Sequence, residues 1–166
     1  MEIENLIFKV PQDDLIDYSR WWSFGDSPSV SFYIHSPSSR DNIIVTLQTY
    51  NGVCHREAGE VGNVPTFCRG DAVIQDNRQE YHPGDLIKKV REEDSVGWSY
   101  VERKSSKFVS SCTEKLEADG EGGYCLSLGK YKNLFFTIRF RENSVSELPI
   151  VVKNIKMKLE SWEMDG

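Results

Sequence analysis

Leu134-Phe135-Phe136-Thr137-Ile138-Arg139-Phe140 is the stretch that decides the fold class. In an extended chain successive side chains point to opposite faces, so Leu134, Phe136, Ile138 and Phe140 form one apolar face. Thr137, Arg139 and Arg141 point the other way. A helix would scatter those four apolar residues around its circumference, so the segment reads as a strand laid on a hydrophobic core.

The same alternation recurs outward from this strand. Val30, Phe32 and Ile34 share a face in Val30–His35, with Ser31, Tyr33 and His35 opposite. In Ile43–Tyr50, Ile43, Val45 and Leu47 lie on one side and Ile44, Thr46, Gln48 and Tyr50 on the other. Asn51-Gly52 then reads as a two-residue hairpin turn, because both residues accept positive φ, and Val53–Arg56 as the returning strand. Leu6, Phe8 and Val10 share a face near the start, and Trp98–Glu102 and Lys107–Thr113 also read as strands. Tyr124–Leu128 returns from the glycine-rich turn Asp119-Gly120-Glu121-Gly122-Gly123.

Ile150–Leu159 is expected to close the domain as a strand, with a bulge near Lys153-Asn154 where the parity slips between Val152 and Ile155. Lys153, Lys156 and Lys158 then read as the solvated lysines of a strand edge. Leu86–Arg91, after the His82-Pro83-Gly84-Asp85 turn, is either a strand or one or two helical turns capped by Asp85. Residues 58–79 form a loop-rich excursion with at most short strands around Thr66–Cys68 and Ala72–Ile74. One short helix is expected within Pro11–Arg20, where Asp13 and Asp14 suit a first turn. Nine or ten short strands with almost no helix define an all-β fold. The expectation is an antiparallel β-sandwich, jelly-roll-like, with at most one or two short helices and residues 1–166 forming a single domain.

Composition narrows the function classes. The chain has 166 residues, of which 39% are hydrophobic and 28% charged, with eight Phe, four Trp and seven Tyr. Aromatics at that density argue against disorder, each burying roughly 150–250 Å². The net charge is −6, which repels phosphate backbones, so no nucleic-acid partner is expected. No run approaches the roughly 18 apolar residues of a membrane span, so no membrane partner is expected either. Met1 to Val10 carries Glu2 and Glu4 and lacks the basic and apolar regions of a signal peptide. The expected location is therefore cytoplasmic, or secreted if Met1 replaces a removed leader. Cys112 and Cys125 flank the glycine-rich turn, where they would face each other across two strands; in a reducing compartment they would be small buried hydrophobes.

Two segments carry a resemblance. Phe135-Phe136-Thr137-Ile138-Arg139-Phe140 followed by Val151-Val152-Lys153-Asn154-Ile155-Lys156-Met157 is similar in pattern to the closing strands of galactose-binding-like jelly rolls. That is the fold of many carbohydrate-binding modules, and the Trp21-Trp22 pair is also familiar from them. The resemblance covers about a third of the chain and implies a sandwich fold and a sugar ligand.

Carbohydrate recognition needs aromatic faces for sugar C–H edges and planar polar groups that fork between hydroxyls. By strand parity Tyr33, Gln48, Tyr50, Arg139 and Arg141 fall opposite the core, and with Trp22 and Trp98 they are the candidate ligand-binding residues. The bland alternative is that they are ordinary cross-strand pairs on a half-solvated sheet. Cys54-His55 with Cys68 lacks the fourth ligand of a structural zinc site, and Asp119 and Glu121 are too few for calcium. Glu92-Glu93-Asp94 reads as a solvated charge run, and Arg69-Gly70-Asp71 as a chance tripeptide. No nucleophile elbow, phosphate-binding loop or dinucleotide fingerprint occurs. Neither catalysis, a cofactor nor a metal is expected. The leading expectation is a non-enzymatic module that binds a carbohydrate-like ligand; the alternative is a protein-interaction module of the same fold.

Overall fold

The computed structural model describes residues 2–16, 29–37, 42–54, 83–90, 97–113 and 123–164. Within them the chain is mostly β, as the alternation requires. Two short strands, β1 (Glu2–Ile3) and β2 (Leu6–Ile7), form a ribbon. Seven more form one antiparallel sheet: β3 (Ser29–His35), β4 (Asn42–Gln48), β5 (Leu86–Val90), β6 (Gly97–Glu102), β7 (Phe108–Thr113), β8 (Tyr124–Tyr131) and β9 (Leu134–Arg141). Their order across the sheet is β3-β4-β9-β8-β7-β6-β5. The class is thus all-β, antiparallel and sandwich-like. Among the described residues, the layer over the sheet is made by the β1–β2 ribbon and a C-terminal helix, α2 (Leu148–Trp162).

The decisive stretch behaves as its pattern dictates. Leu134, Phe136, Ile138 and Phe140 are all buried, whereas Arg139 is exposed. β9 lies between β4 and β8, so its inner face continues into Val45 and Leu47 on one side and into Ser127 and Gly129 on the other. Gly129 sits opposite Phe136, and its missing side chain is where the Phe136 ring lies.

Three expectations are corrected. Ile150–Leu159 is not a strand but the middle of α2. Leu148, Val151, Val152, Ile155, Leu159 and Trp162 are buried at three- and four-residue spacing, the stripe of a helix lying on a core. What reads as a bulge at Lys153-Asn154 is this helical period, and Pro149 suits the first turn. Adjacent β-branched residues favour a strand locally, and burial against the sheet overrides them. Val151–Met157 is therefore helical, which leaves Phe135–Phe140 as the strand carrying the family resemblance. The lysines stand on a helix rather than a strand edge: Lys153 is exposed, and Lys158 pairs with Asp14 at 2.7 Å.

Second, Asn51-Gly52 is not a hairpin turn. Tyr50–Cys54 is a short helix, α1, started by Thr49, whose Oγ1 accepts from the Gly52 amide at 3.0 Å. Third, within the described part of Pro11–Arg20 there is only the 3-10 turn η1 (Gln12–Asp14). The chain then joins the sheet edge, with Leu15 bridged to Phe32 and the Ile16 amide donating to the Ser31 carbonyl at 2.9 Å. The undecided segment after Asp85 is a strand, β5, preceded by the 3-10 turn η2 (Pro83–Asp85). Residues 58–79, the 119–122 part of the glycine-rich turn, and Cys68, His55 and His82 lie outside the described residues.

Both ends of the C-terminal helical segment are tied down by the same chemistry. Glu142 opens the 3-10 turn η3 (Glu142–Glu147), which leads into α2. Its Oε1 accepts from Tyr100 Oη at 2.6 Å and Lys88 Nζ at 2.8 Å. Glu163, just past α2, accepts from Tyr131 Oη at 2.6 Å and pairs with Lys132. Trp162 meets Phe32 edge-on with centroids 4.9 Å apart. Cys112 and Cys125 are paired across β7 and β8 and joined by a disulfide, both buried in the core.

Candidate functional site

Strand register decides which side chains share a face. One row of partners runs Tyr33–Ile44–Arg139–Leu126–Ser111–Ser99–Lys89 across all seven strands. The adjacent row on the other side of the pleat runs Phe140–Cys125–Cys112–Trp98–Val90. The second row belongs to the face that carries α2, and the first belongs to the outward face.

Five of the seven candidate residues are brought together on that outward side. Tyr33 and Arg139 stand in the same row, both exposed, and Arg141 is two residues beyond Arg139. The Arg139 guanidinium lies over the Tyr124 ring at 5.7 Å, and Tyr124 pairs with Arg141. Gln48 shares the side but is only 3% exposed, in the row with Phe135 and Lys130. Tyr50, at the start of α1, is exposed and packs its ring 5.3 Å from Phe135. Between these two ends lies a buried hydroxyl pair, Ser31 Oγ with Thr46 Oγ1 at 2.8 Å. The outward face therefore has an exposed end around Tyr33, Tyr124 and Arg139 and a second end around Tyr50, Phe135 and Lys130.

Trp98 does not join them. It pairs with Cys112 on the core side of the sheet and packs against the hydrophobic core. Its indole Nε1 is buried without a hydrogen-bond partner, and Lys88 Nζ sits 4.2 Å from the ring centroid. Gly123 lies so close that a Cβ there would meet the ring at 2.6 Å. Parity explains the correction: three strand pairings connect Trp98 to Phe140, the neighbour of Arg139, so the Trp98 and Arg139 side chains leave opposite faces. Trp22 lies outside the described residues.

Tyr124 and His35 belong to the exposed end and are missing from the sequence-based candidates. Tyr124 is assigned there only by its pairing with Arg141, which requires the β8–β9 register. His35 is legible from parity in β3, opposite Phe32 and Ile34, and is exposed. Electrostatics separate this face from the two glutamate clasps. Burial pushes the Glu142 carboxyl up, but hydrogen bonds from Lys88 and Tyr100 and the lysine charge outweigh it and hold it below the ordinary carboxylate value. Burial, then the hydrogen bond and charge of Glu142, drive the Tyr100 phenol well above its ordinary value. Both clasps are closed within the protein and tie the helical segment to the sheet.

Among the described residues no group of three His, Cys, Asp or Glu side chains is placed to hold a metal ion. Among them, too, no helix is long and apolar enough to cross a membrane. No protein-family model, curated protein or solved structure matches the chain.

Proposed function

We propose that the chain is a non-enzymatic binding module that takes a carbohydrate-like ligand on the outward face of its sheet. The observation that carries this reading is the row in which exposed Tyr33 and Arg139 stand on strands separated only by β4. A tyrosine ring offers a flat apolar surface at low entropy cost, and a guanidinium offers paired donors that span neighbouring oxygens. The row is set on a hydrogen-bonded sheet backed by the core, so its geometry is preorganised.

A protein partner on the same face is the second reading, favoured by Ile44 and Leu126, which are part-exposed in the same row. A glycan array run beside a pull-down from cell extract separates the two. Tyr33→Ala and Arg139→Ala are expected to abolish glycan binding while leaving the melting temperature within about 4 °C, since both residues are exposed. A blank array with a reproducible protein partner on the same face would replace the first reading by the second. The buried Cys112–Cys125 bond supports a working location in an oxidising compartment rather than the cytosol.

A further inference from the structure

The solvent side of α2 is a second surface, remote from the outward face of the sheet. The inner stripe of the helix is buried on the core, so the residues half a turn round from Ile155 and Leu159 face water. Ile150 and Met157 stand there on one line, two turns apart, and each is more than half exposed. Just past the helix, Met164 is also more than half exposed, and its amide donates to the Ile7 carbonyl at 2.9 Å, which sets it beside exposed Ile7. Lys153 and Glu160 share one flank of the line, again two turns apart and both exposed. Roughly 10 Å separates them along the axis, too far for them to pair with each other. Neither enters the ion pairs made by Lys88, Lys132 and Lys158.

We infer that this face is a homodimer interface, in which the α2 helices of two copies pack antiparallel about a two-fold axis near Met157. A two-fold contact is self-complementary, because the same patch is presented by both copies. A line of apolar side chains meets itself in either direction, and the charges choose between the two. In a parallel pair each flank meets the opposite flank of the other helix, which brings Lys153 toward Lys158 of the second copy. In an antiparallel pair each flank meets itself in reverse. Centred between Lys156 and Met157, that arrangement sets Lys153 opposite Glu160 of the second copy and Glu160 opposite its Lys153, two pairs of opposite charge. The same pairing directs Ile150 of one copy toward Ile7 and Met164 of the other, and the flexible Met157 side chains fill the centre. Contact along one 15-residue helix lies at the small end of specific interfaces, so the dimer is reversible rather than obligate. Tyr33 and Arg139 lie on the opposite face of the sheet and stay outside the contact, so the inference does not depend on the ligand reading.

The test is sedimentation velocity of the full chain between about 1 μM and about 1 mM, a range that spans weak association. The expected result is a reversible, concentration-dependent rise from the monomer to twice the monomer mass. Met157→Lys places an ammonium at the centre of the contact and is expected to weaken dimerisation at least about tenfold. The melting temperature of the dilute monomer should not change, since Met157 is exposed. Lys153→Glu and Glu160→Lys are each expected to weaken dimerisation about tenfold, and the two together to restore it to within about threefold of the original. Val90→Lys, on the far edge strand β5, should leave association unaltered. If Met157→Lys disturbs folding, the charge-reversal set decides the matter by itself. A chain that stays monomeric throughout the range overturns the inference, including one that instead co-sediments with anionic phospholipid vesicles, which would make the face a lipid surface. A dimer indifferent to Met157→Lys uses another face, and a double charge reversal no tighter than the single ones refutes the antiparallel pairing; either result overturns the inference.

Discussion

Adding one methyl group at Gly129 tests the packing of the decisive strand most directly. A Cβ built there would stand 2.2 Å from Phe136 Cε2 and 2.3 Å from Cζ. Ordinary carbon contacts lie at about 3.5–4.0 Å, so the ring would have to retreat by more than about 1 Å. Phe136 has nowhere easy to go: it is 0% exposed, between Gly129 on β8 and Leu47 on β4. Gly129→Ala should therefore cost about 1–3 kcal/mol by overpacking, despite the gain of a residue with fewer unfolded conformations. Phe136→Ala alone should cost about 3–5 kcal/mol. In the double variant the new methyl enters space the ring has vacated, so the combined loss should fall short of the sum by at least about 1 kcal/mol. Urea unfolding of the four proteins, compared at constant m-value, gives that coupling. Additivity within about 0.5 kcal/mol would mean that the Phe136 ring does not cover Gly129 and that the β8–β9 register is wrong.

Replacing Cys112 and Cys125 together by Ala should cost about 3 kcal/mol, the loop-closure value for a separation of 13 residues; an unchanged unfolding midpoint would mean the cross-link is not formed. Glu142 contributes stability that is present above the unfolded carboxyl value near 4.5 and lost as pH falls through its lower folded value. Glu142→Gln should accordingly flatten the acid limb of a melting-temperature profile, and an unaltered limb would remove the clasp from the account. Tyr100 has its folded pKa raised, so its contribution is full below its ordinary value near 10 and is lost above it. Tyr100→Phe should weaken that alkaline loss, measured by circular dichroism between pH 9 and about 12. Trp98→Ala should cost about 3–5 kcal/mol and Arg139→Ala under about 1; similar losses at both would place Arg139 in the structural core.

How far the sequence was legible depends on the range of the interaction that decides each feature. Period-2 alternation is a property of neighbours in the chain, so Leu134–Phe140 and Val30–His35 declare both their state and their inner faces without any partner. The same parity assigns Tyr33, Arg139 and Arg141 to the outward side, and the structure keeps all three there. Composition is equally local, and it sufficed for the acidic charge and the aromatic core.

Tertiary structure decided everything that depends on what lies across the sheet. Ile150–Leu159 has strand-like residues and a helical spacing, and only burial of Val151, Val152, Ile155 and Leu159 against the sheet selects the helix. The ribbon turn at Glu4-Asn5 has both residues at positive φ, 47° and 67°, and Asn133 reaches it by donating to the Glu4 carbonyl from a distant turn. The face of Trp98 follows from three successive strand registers, and Tyr124 joins Arg139 through the last of them. A one-residue slip in any of them would send the side chain to the opposite side. Alternation determines that a residue leaves its strand on one face or the other; only the assembled sheet determines which face is covered by α2 and which is left with Tyr33 and Arg139 exposed.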